Sequence, residues 1–325
     1  LTHDEQRQSW GTEALWHRLM PLLPGLSIEV IERTDSTNSE LLARARVRPD
    51  LQPEAEAALV HRRVEGGGFG RRAVDAQPCL LVAEQQTGGR GRQGRAWISE
   101  RGASLTFSLS LPLAPADWSG LSLAVGVALA DALEPIDAGA RPRLRLKWPN
   151  DLWLVDAEPA PGDEPASLGR KLGGILIETV GGGGRDGRRQ AVIGIGLNIA
   201  PLGPPEGHGE WLASYACLRE LDPVITPAQA LARVAEPLAR TLLAFEQHGF
   251  APFVERFARR DLLAGRRIRS TAREAPEGLA LGVSDNGALR VHTRQGVVEL
   301  SAGEVTVRPE GATSSAPAPL DDGQG

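Results

Sequence analysis

Apolar residues recur along this chain at two spacings, and the switches between them mark out the elements. Trp10, Leu15, Leu19 and Leu22, in and just after WGTEALWHRLM, fall near helical spacing and predict a short amphipathic helix. LSIEVIERTDSTNSELLARAR alternates over 26–31 as a strand, turns where Asp35 or Ser36 can cap, and returns to helical spacing through Leu41 and Leu42. CLLVAEQQ reads as a strand, and SLTFSLSLPL alternates so regularly that one of its faces is expected to be wet. WSGLSLAVGVALADAL is apolar at i, i+3 and i+4, which predicts a mostly buried helix, and LRLKWPNDLWL is a strand broken at its proline.

KLGGILIET and AVIGIGLNI are expected to pair as antiparallel neighbours, and 226–260 is helical. Short strands then follow around RRIRS, GLALGVS, ALRVHT, VVELS and EVTVRP, joined by turns such as Asp285-Asn286-Gly287. These predict a larger domain over 1–260, a small all-β domain over 262–310, and a tail over 311–325 too poor in apolar residues to fold. Residues 61–78, rich in glycine and arginine without a period, read as a mobile loop; 156–169 is acidic and proline-rich, and 181–189 is a glycine turn. Neither 61–78 nor 156–169 acquires a role from its sequence.

At 325 residues the chain can bury one sizeable core and carry an appendage. A net charge of -5 and a pI near 5.8 give no overall attraction to nucleic acid or anionic membranes, so neither is expected as a partner. Cys79 and Cys217 are far apart and show no ligand pattern. No apolar run approaches the ~18–20 residues that cross a bilayer, and the first residues do not form a leader, so a cytoplasmic protein is expected.

One economy draws the eye to particular positions. Of 36 basic residues only Lys147 and Lys171 are lysine, and of four asparagines Asn38, Asn150 and Asn198 fall in segments that carry other polar signals. A lysine offers a compact charge with adjustable donors where arginine offers a fixed fork, which suits a crowded oxyanion.

Five segments could carry chemistry. In Gly88 to Trp97, GGRGRQGRAW, the glycines free backbone amides while Arg90, Arg92 and Arg95 can reach phosphate or carboxylate oxygens; Trp97 either stacks on a base or anchors the loop. No Walker loop or dinucleotide fingerprint is present, and the run is too short for a low-complexity RNA-binding segment. In KWPND, Lys147 to Asp151, Pro149 holds Trp148 extended; Asn150 and Asp151 then either cap a turn or form a polar wall where Asp151 orients a reacting group or a hydrated metal.

Lys171 opens KLGGILIE beside Gly173 and Gly174, as an oxyanion contact or as a solvated strand end. In GIGLNI, Gly194 and Gly196 share a strand face that admits a planar ligand, and Asn198 offers a donor and an acceptor to a base edge. TDSTN, Thr34 to Asn38, supplies hydroxyls and an amide for a helix cap or a polar heterocycle. The six histidines sit outside all of these, which disfavours an imidazole-assisted nucleophile.

TDSTNSELL, EQQTGGRGRQGRAW, KWPNDLWL, KLGGILIE and IGIGLNI, in this order, strongly resemble biotin protein ligase over about residues 28–310. The resemblance implies an α/β (α+β) fold: a mixed β-sheet with flanking helices, like class II aminoacyl-tRNA synthetases and lipoate ligases, plus a C-terminal SH3-like barrel. It implies that ATP and biotin form biotinyl-5'-adenylate with Mg2+ assisting, and that a lysine of the biotin carboxyl carrier protein of acetyl-CoA carboxylase then takes the biotinyl group. It further implies that Ser36, Thr37, Gln85, Gly88, Arg90, Arg92, Lys171 and Gly174 contact biotin. Arg92, Arg95, Trp97, Asn150, Lys171 and Asn198 would contact ATP or the adenylate, and Lys171, Arg92 and Asp151 would serve catalysis.

With TDSTN starting by residue 34, the resemblance leads us to expect a short form without the N-terminal DNA-binding domain that some members carry. A lipoate-type ligase and a non-catalytic nucleotide-binding module remain the alternatives.

Overall fold

A computed structural model describes residues 10–46, 77–136, 141–156, 168–181, 187–202, 215–302 and 307–309. The loop expected over 61–78 lies outside them apart from its last two positions, as do most of 156–169, the middle of 181–189 and the tail.

The first helical pattern folds as α1 (Thr12–Leu19), which buries Leu15 and Leu19. Next, β1 (Ser27–Thr34) leads into α2 (Thr37–Arg46), and β2 (Cys79–Gln86) lies parallel to β1. The glycine-arginine stretch folds back on itself as a two-stranded ribbon, β3 (Gly89–Arg90) with β4 (Ala96–Trp97). There follow β5 (Ser104–Leu113), α3 (Leu121–Leu133), β6 (Leu144–Lys147), β7 (Asp151–Leu154), β8 (Arg170–Val180) and β9 (Arg189–Asn198). The long helix α4 (Pro227–His248) starts at a reciprocal cap, in which Thr226 Oγ1 accepts from Gln229 N–H and the Gln229 side chain accepts from Thr226 N–H. A short α5 (Val254–Ala258) closes the larger domain.

The sheet runs in the order β1-β2-β5-β9-β8-β7-β6, antiparallel throughout except between β1 and β2. It is therefore mixed, with helices on both faces. The main core gathers Leu105, Phe107, Leu109, Leu111 and Leu113 of β5 with α3 and α4, while Leu41 and Leu42 of α2 pack on the opposite face with Cys79, Leu81 and Val192.

The expectation of a wet face on SLTFSLSLPL is corrected here: Ser104, Thr106, Ser108 and Ser110 are all buried. The strand is third of seven, and its hydroxyl face lies under α2, where polar partners replace water. Thr106 Oγ1 donates to Ala83 O at 3.0 Å, and Ser110 Oγ accepts from Gln190 Nε2 at 2.7 Å.

The C-terminal segment forms β10 (Arg267–Ser270), β11 (Glu277–Val283), β12 (Leu289–Thr293), β13 (Gly296–Leu300) and β14 (Val307–Pro309), an antiparallel sheet in the order β13-β12-β11-β10-β14. This agrees with the small all-β domain read from the sequence. Just ahead of this sheet, fully buried Arg260 is held within the larger domain, pairing with Asp131 at 2.8 Å and Glu134 at 3.1 Å and donating to Leu144 O at 2.9 Å. Trp148, also fully buried, donates its indole N–H to Gly287 O at 3.1 Å.

Candidate functional site

The hydroxyl face of the sheet that α2 covers continues into a cleft of about 970 Å3, open mouth included. One end is built at the start of α2. Ser36 caps this helix: its Oγ accepts from Ser39 N–H at 3.4 Å, while Asp35 Oδ1 accepts from Ser36 N–H at 2.6 Å. Gln86, the last residue of β2, accepts at Oε1 from Thr37 N–H at 2.7 Å and Thr37 Oγ1 at 3.0 Å.

From Thr37 Oγ1 the chain of contacts passes to Ser108 Oγ at 2.7 Å and on to Asn38 Oδ1 at 2.6 Å. Asn38 Nδ2 then donates to Glu178 Oε2 at 2.9 Å and Leu176 O at 3.2 Å. A Cβ at position 194 would collide with Asn38 Oδ1, so glycine there lets the amide lie against β9. At this end the groups of Ser36, Thr37, Asn38 and Gln86 are neutral and joined by hydrogen bonds, and the network closes on the Glu178 carboxylate.

The ribbon forms the roof. Arg92–Gly94 make a single tight turn between β3 and β4, and Gly91 N–H donates to Arg95 O at 2.7 Å. Trp97 drops its indole onto Gly196, where any Cβ would strike the ring. Its Nε1 is buried and meets no acceptor among the described residues. Arg92 NH1 donates to Asn150 Oδ1 at 3.2 Å and NH2 to Ala302 O of the C-terminal domain, so the roof touches both domains. Burial lowers the Arg92 pKa, with nearby Asp151 opposing. Arg95 donates to Gln93 Oε1 at 3.2 Å, and Arg90 stands 3.8 Å from Glu178.

The opposite wall is the KWPND hairpin and the start of β8. Cross-strand pairing sets Lys147 opposite Asp151, with a cis Trp148-Pro149 bond in the turn. Asn150 is fixed by its Nδ2 donating to Ile175 O at 2.9 Å. Lys171 Nζ meets Asp151 Oδ1 at 2.7 Å and lies 5.8 Å above the Trp97 ring. Burial works against ionising Asp151, but Lys171, Lys147 and Arg92 outweigh it and hold the carboxyl below its ordinary range. For Lys147 burial dominates and lowers the ammonium's pKa, Asp151 opposing.

Of the residues singled out in the sequence, the cleft brings together Ser36, Thr37, Arg90, Arg92, Arg95, Trp97, Asn150, Asp151, Lys171 and Gly174. It does not bring Gln85, Gly88 or Asn198. Successive strand residues point to opposite faces, so Gln86 rather than Gln85 meets Thr37. Gly88 packs against Asp35. The Asn198 amide is spent on backbone, donating to Lys171 O at 3.2 Å and Ala216 O at 3.0 Å. Gln86 and Gln93 also line the cleft, and no sequence signal marks either one; Asn38, whose amide the TDSTN segment offers, lies there too, as does Lys147.

Residues 71–198 match the model of the Biotin/lipoate A/B protein ligase family, and residues 265–308 match the Biotin protein ligase C terminal domain. The chain is 30% identical over 283 residues to a biotin--[acetyl-CoA-carboxylase] ligase of Paracoccus denitrificans, covering 85% of this chain and 98% of that one. It is 32% identical over 232 residues to the bifunctional ligase/repressor BirA of Salmonella typhimurium, covering 70% of this chain and 66% of the relative, just under two thirds of its length. In fold it resembles a biotin protein ligase from Aquifex aeolicus solved in complex with biotin and ATP, with a TM-score of 0.60, 24% identity, and coverage of 87% of this chain and 98% of that one.

Proposed function

The chain belongs to the biotin/lipoate A/B protein ligase family, and on that footing we propose that it is an ATP-dependent ligase that activates biotin as biotinyl-5'-adenylate and passes the biotinyl group to a lysine of the biotin carboxyl carrier protein of acetyl-CoA carboxylase, in the cytoplasm. The observation that carries this reading is the polarity of one cleft: a neutral, hydrogen-bonding end at Ser36, Thr37 and Gln86, and a cationic end at Lys147, Lys171, Arg92 and Arg95. A ureido ring suits the first, and a carboxylate meeting a triphosphate needs the second.

In the first step a biotin carboxylate oxygen attacks the α-phosphorus, the bond from that phosphorus to the bridging oxygen breaks, and pyrophosphate leaves. Both reactants are anions, so charge neutralisation and alignment are what the protein must supply; no enzyme nucleophile is required. In this reading Lys171 bridges the two anions, and its 2.7 Å pairing to Asp151, which supports the reading, aims the ammonium before either arrives. In the second step the neutral carrier amine attacks the acyl carbon, the bond from that carbon to the phosphate oxygen breaks, AMP leaves, and the proton lost by the nitrogen passes to the departing phosphate or to water. The depressed pKa of Asp151 suits it to accept a hydrogen bond from the incoming amine rather than to store its proton.

Among the described residues no three His, Cys, Asp or Glu side chains converge, so no dedicated metal cage is built there. That donor set fits magnesium arriving with the nucleotide, held chiefly by phosphate oxygens and water with Asp151 as the available carboxylate; magnesium would supply further charge neutralisation.

The reading is tested by biotin-dependent ATP–pyrophosphate exchange, followed by transfer of labelled biotin to a purified carrier domain. Exchange with biotin and not lipoate, and label on the carrier, is expected. Exchange with lipoate alone would reject the substrate, and ATP binding without exchange would reject the enzyme.

A further inference from the structure

Regular alternation along β8 would turn Lys171 away from the cleft. A Cβ at position 174 would lie 3.5 Å from Lys171 Nζ and 3.7 Å from Asp151 Oδ1, whereas one at 173 would strike the Leu197 side chain on the opposite face. By alternation, 172 should then face the cleft and 171 the core. The strand does the reverse: Leu172 is fully buried in the main core, and Lys171 lines the cleft.

The register accounts for the swap. Asp151 pairs with Gly174 and Leu152 with Gly173, but Trp153 pairs with Lys171, so one step along β7 spans two along β8. Leu172 is the extra residue of a β-bulge, which re-aims the side chain next to it and interrupts the ladder. The carbonyl beside it therefore needs a partner from elsewhere.

The pairing of β8 with β9 begins only at Gly173 and Leu197, which leaves Lys171 beyond it. Lys171 O accepts instead from Ala216 N–H at 2.9 Å and from Asn198 Nδ2 at 3.2 Å, and the same Nδ2 donates to Ala216 O at 3.0 Å. Asn198 ends β9, is 4% exposed, and is fixed from its other side by pairing with Ser104 of β5. One buried amide thus ties the sheet to the start of β8 and to the segment at Tyr215 and Ala216 that runs beside it.

We infer that Asn198 is a positioning residue for Lys171: by holding the carbonyl at the bulge, it fixes where the lysine stem leaves β8 and so brings the ammonium against Asp151. The part of Lys171 in the chemistry is taken from the proposed function; the hold on its backbone stands apart from it. Asp151 secures only the tip of a flexible stem, and the tip can be met from more than one direction unless the root is held as well.

The test uses the full chain with Asn198→Ala and Asn198→Ser. Only Lys147 and Lys171 are lysine, so isotope-labelled lysine gives two side-chain NMR signals at Cε, and Lys171→Met identifies them. The Lys171 signal should carry a ring-current shift from Trp97, whose ring lies 5.8 Å from Nζ. In Asn198→Ala it should move toward the position of a free lysine, while the signal of Lys147, 5.5 Å over Trp153, stays. Asn198→Ser, which keeps one shorter donor, should lie between.

In ATP–pyrophosphate exchange, kcat for Asn198→Ala should fall about tenfold to a hundredfold, the scale of a misplaced reacting group, with the KM for ATP and for biotin within about threefold. A Lys171 signal that does not move would overturn the assignment, as would a KM for ATP that rises with kcat intact. Both lysine signals moving together would mean that Asn198 holds the whole wall rather than Lys171, and would overturn it too. If the parent protein shows no exchange, the adenylation reading fails, and the two signals still decide whether Asn198 aims Lys171.

Discussion

The two ends of the cleft are made on different physical terms. At the α2 end, Gln86, Thr37, Ser108, Asn38 and Glu178 hand hydrogen bonds from one to the next, so its shape exists before any ligand arrives. At the hairpin end, Lys147, Lys171 and Arg92 hold the Asp151 carboxyl below its ordinary range, so this wall is built of charge rather than of neutral hydrogen bonds. On the proposed function the first end would select by fit, since an amide or hydroxyl left unpaired there costs about 1–3 kcal/mol. The second would do the chemical work by charge.

The sharpest way to break the contrast is Lys171→Met. Exchange should fall by roughly a hundredfold to a thousandfold, the usual scale for removing a preorganised group from developing charge, with a far smaller change in unfolding free energy. Parent-like exchange would mean the cationic end is passive.

At the neutral end, Gly194→Ala forces Asn38 off β9 and disrupts its 2.6 Å bond from Ser108. We expect a loss of about 1–3 kcal/mol in stability and a KM for biotin raised about tenfold, with the KM for ATP within about twofold. If both KM values rise together, the two ends are not separable.

Arg92→Gly removes the roof's hold on Asn150 and Ala302. Synthesis should persist, while biotinyl-adenylate escapes severalfold more into solvent, read by chromatography; no increase in released adenylate would remove the roof's role as a cover.

The mildest test compares Asp151 with a carboxylate that lacks such company. Asp261, at the junction with the C-terminal domain, is buried, and its pKa is pushed up to about 6, chiefly by burial. A folded-state pKa above the unfolded value near ~3.9 means the folded protein binds the extra proton. Stability therefore falls as pH rises from about 4 to about 6, by up to ~2–3 kcal/mol, and stays lower above that range. Asp261→Asn should flatten that slope in unfolding titrations. An unchanged slope would mean that burial does not govern this carboxyl, and would weaken the claim that cations are what keep Asp151 ionised.

Most elements were legible because their apolar period is local: α3, the β8–β9 pair and the five C-terminal strands follow from spacing alone. So was the gathering of arginines with Asn150, Asp151 and Lys171. The misses share a cause. Gln85 and Gln86 are chemically identical neighbours, and only the register of β2 against α2 decides which faces Thr37. Asn198 has the same strand parity as Gly194 and Gly196, but Ala216, distant in sequence, supplies the carbonyl that claims its amide. The alternation of β5 signals two unlike faces, yet nothing within the strand says that α2 will cover the polar one. What a residue does alone could be read; what is laid over it by remote chain could not.

The indole bond from Trp148 to Gly287 spans 139 positions. The hairpin that presents Asp151 is thus completed by a carbonyl from the C-terminal sheet. A chain severed between the two would hold an unmet donor directly beneath that wall, so the seven-stranded sheet does not finish the cleft by itself.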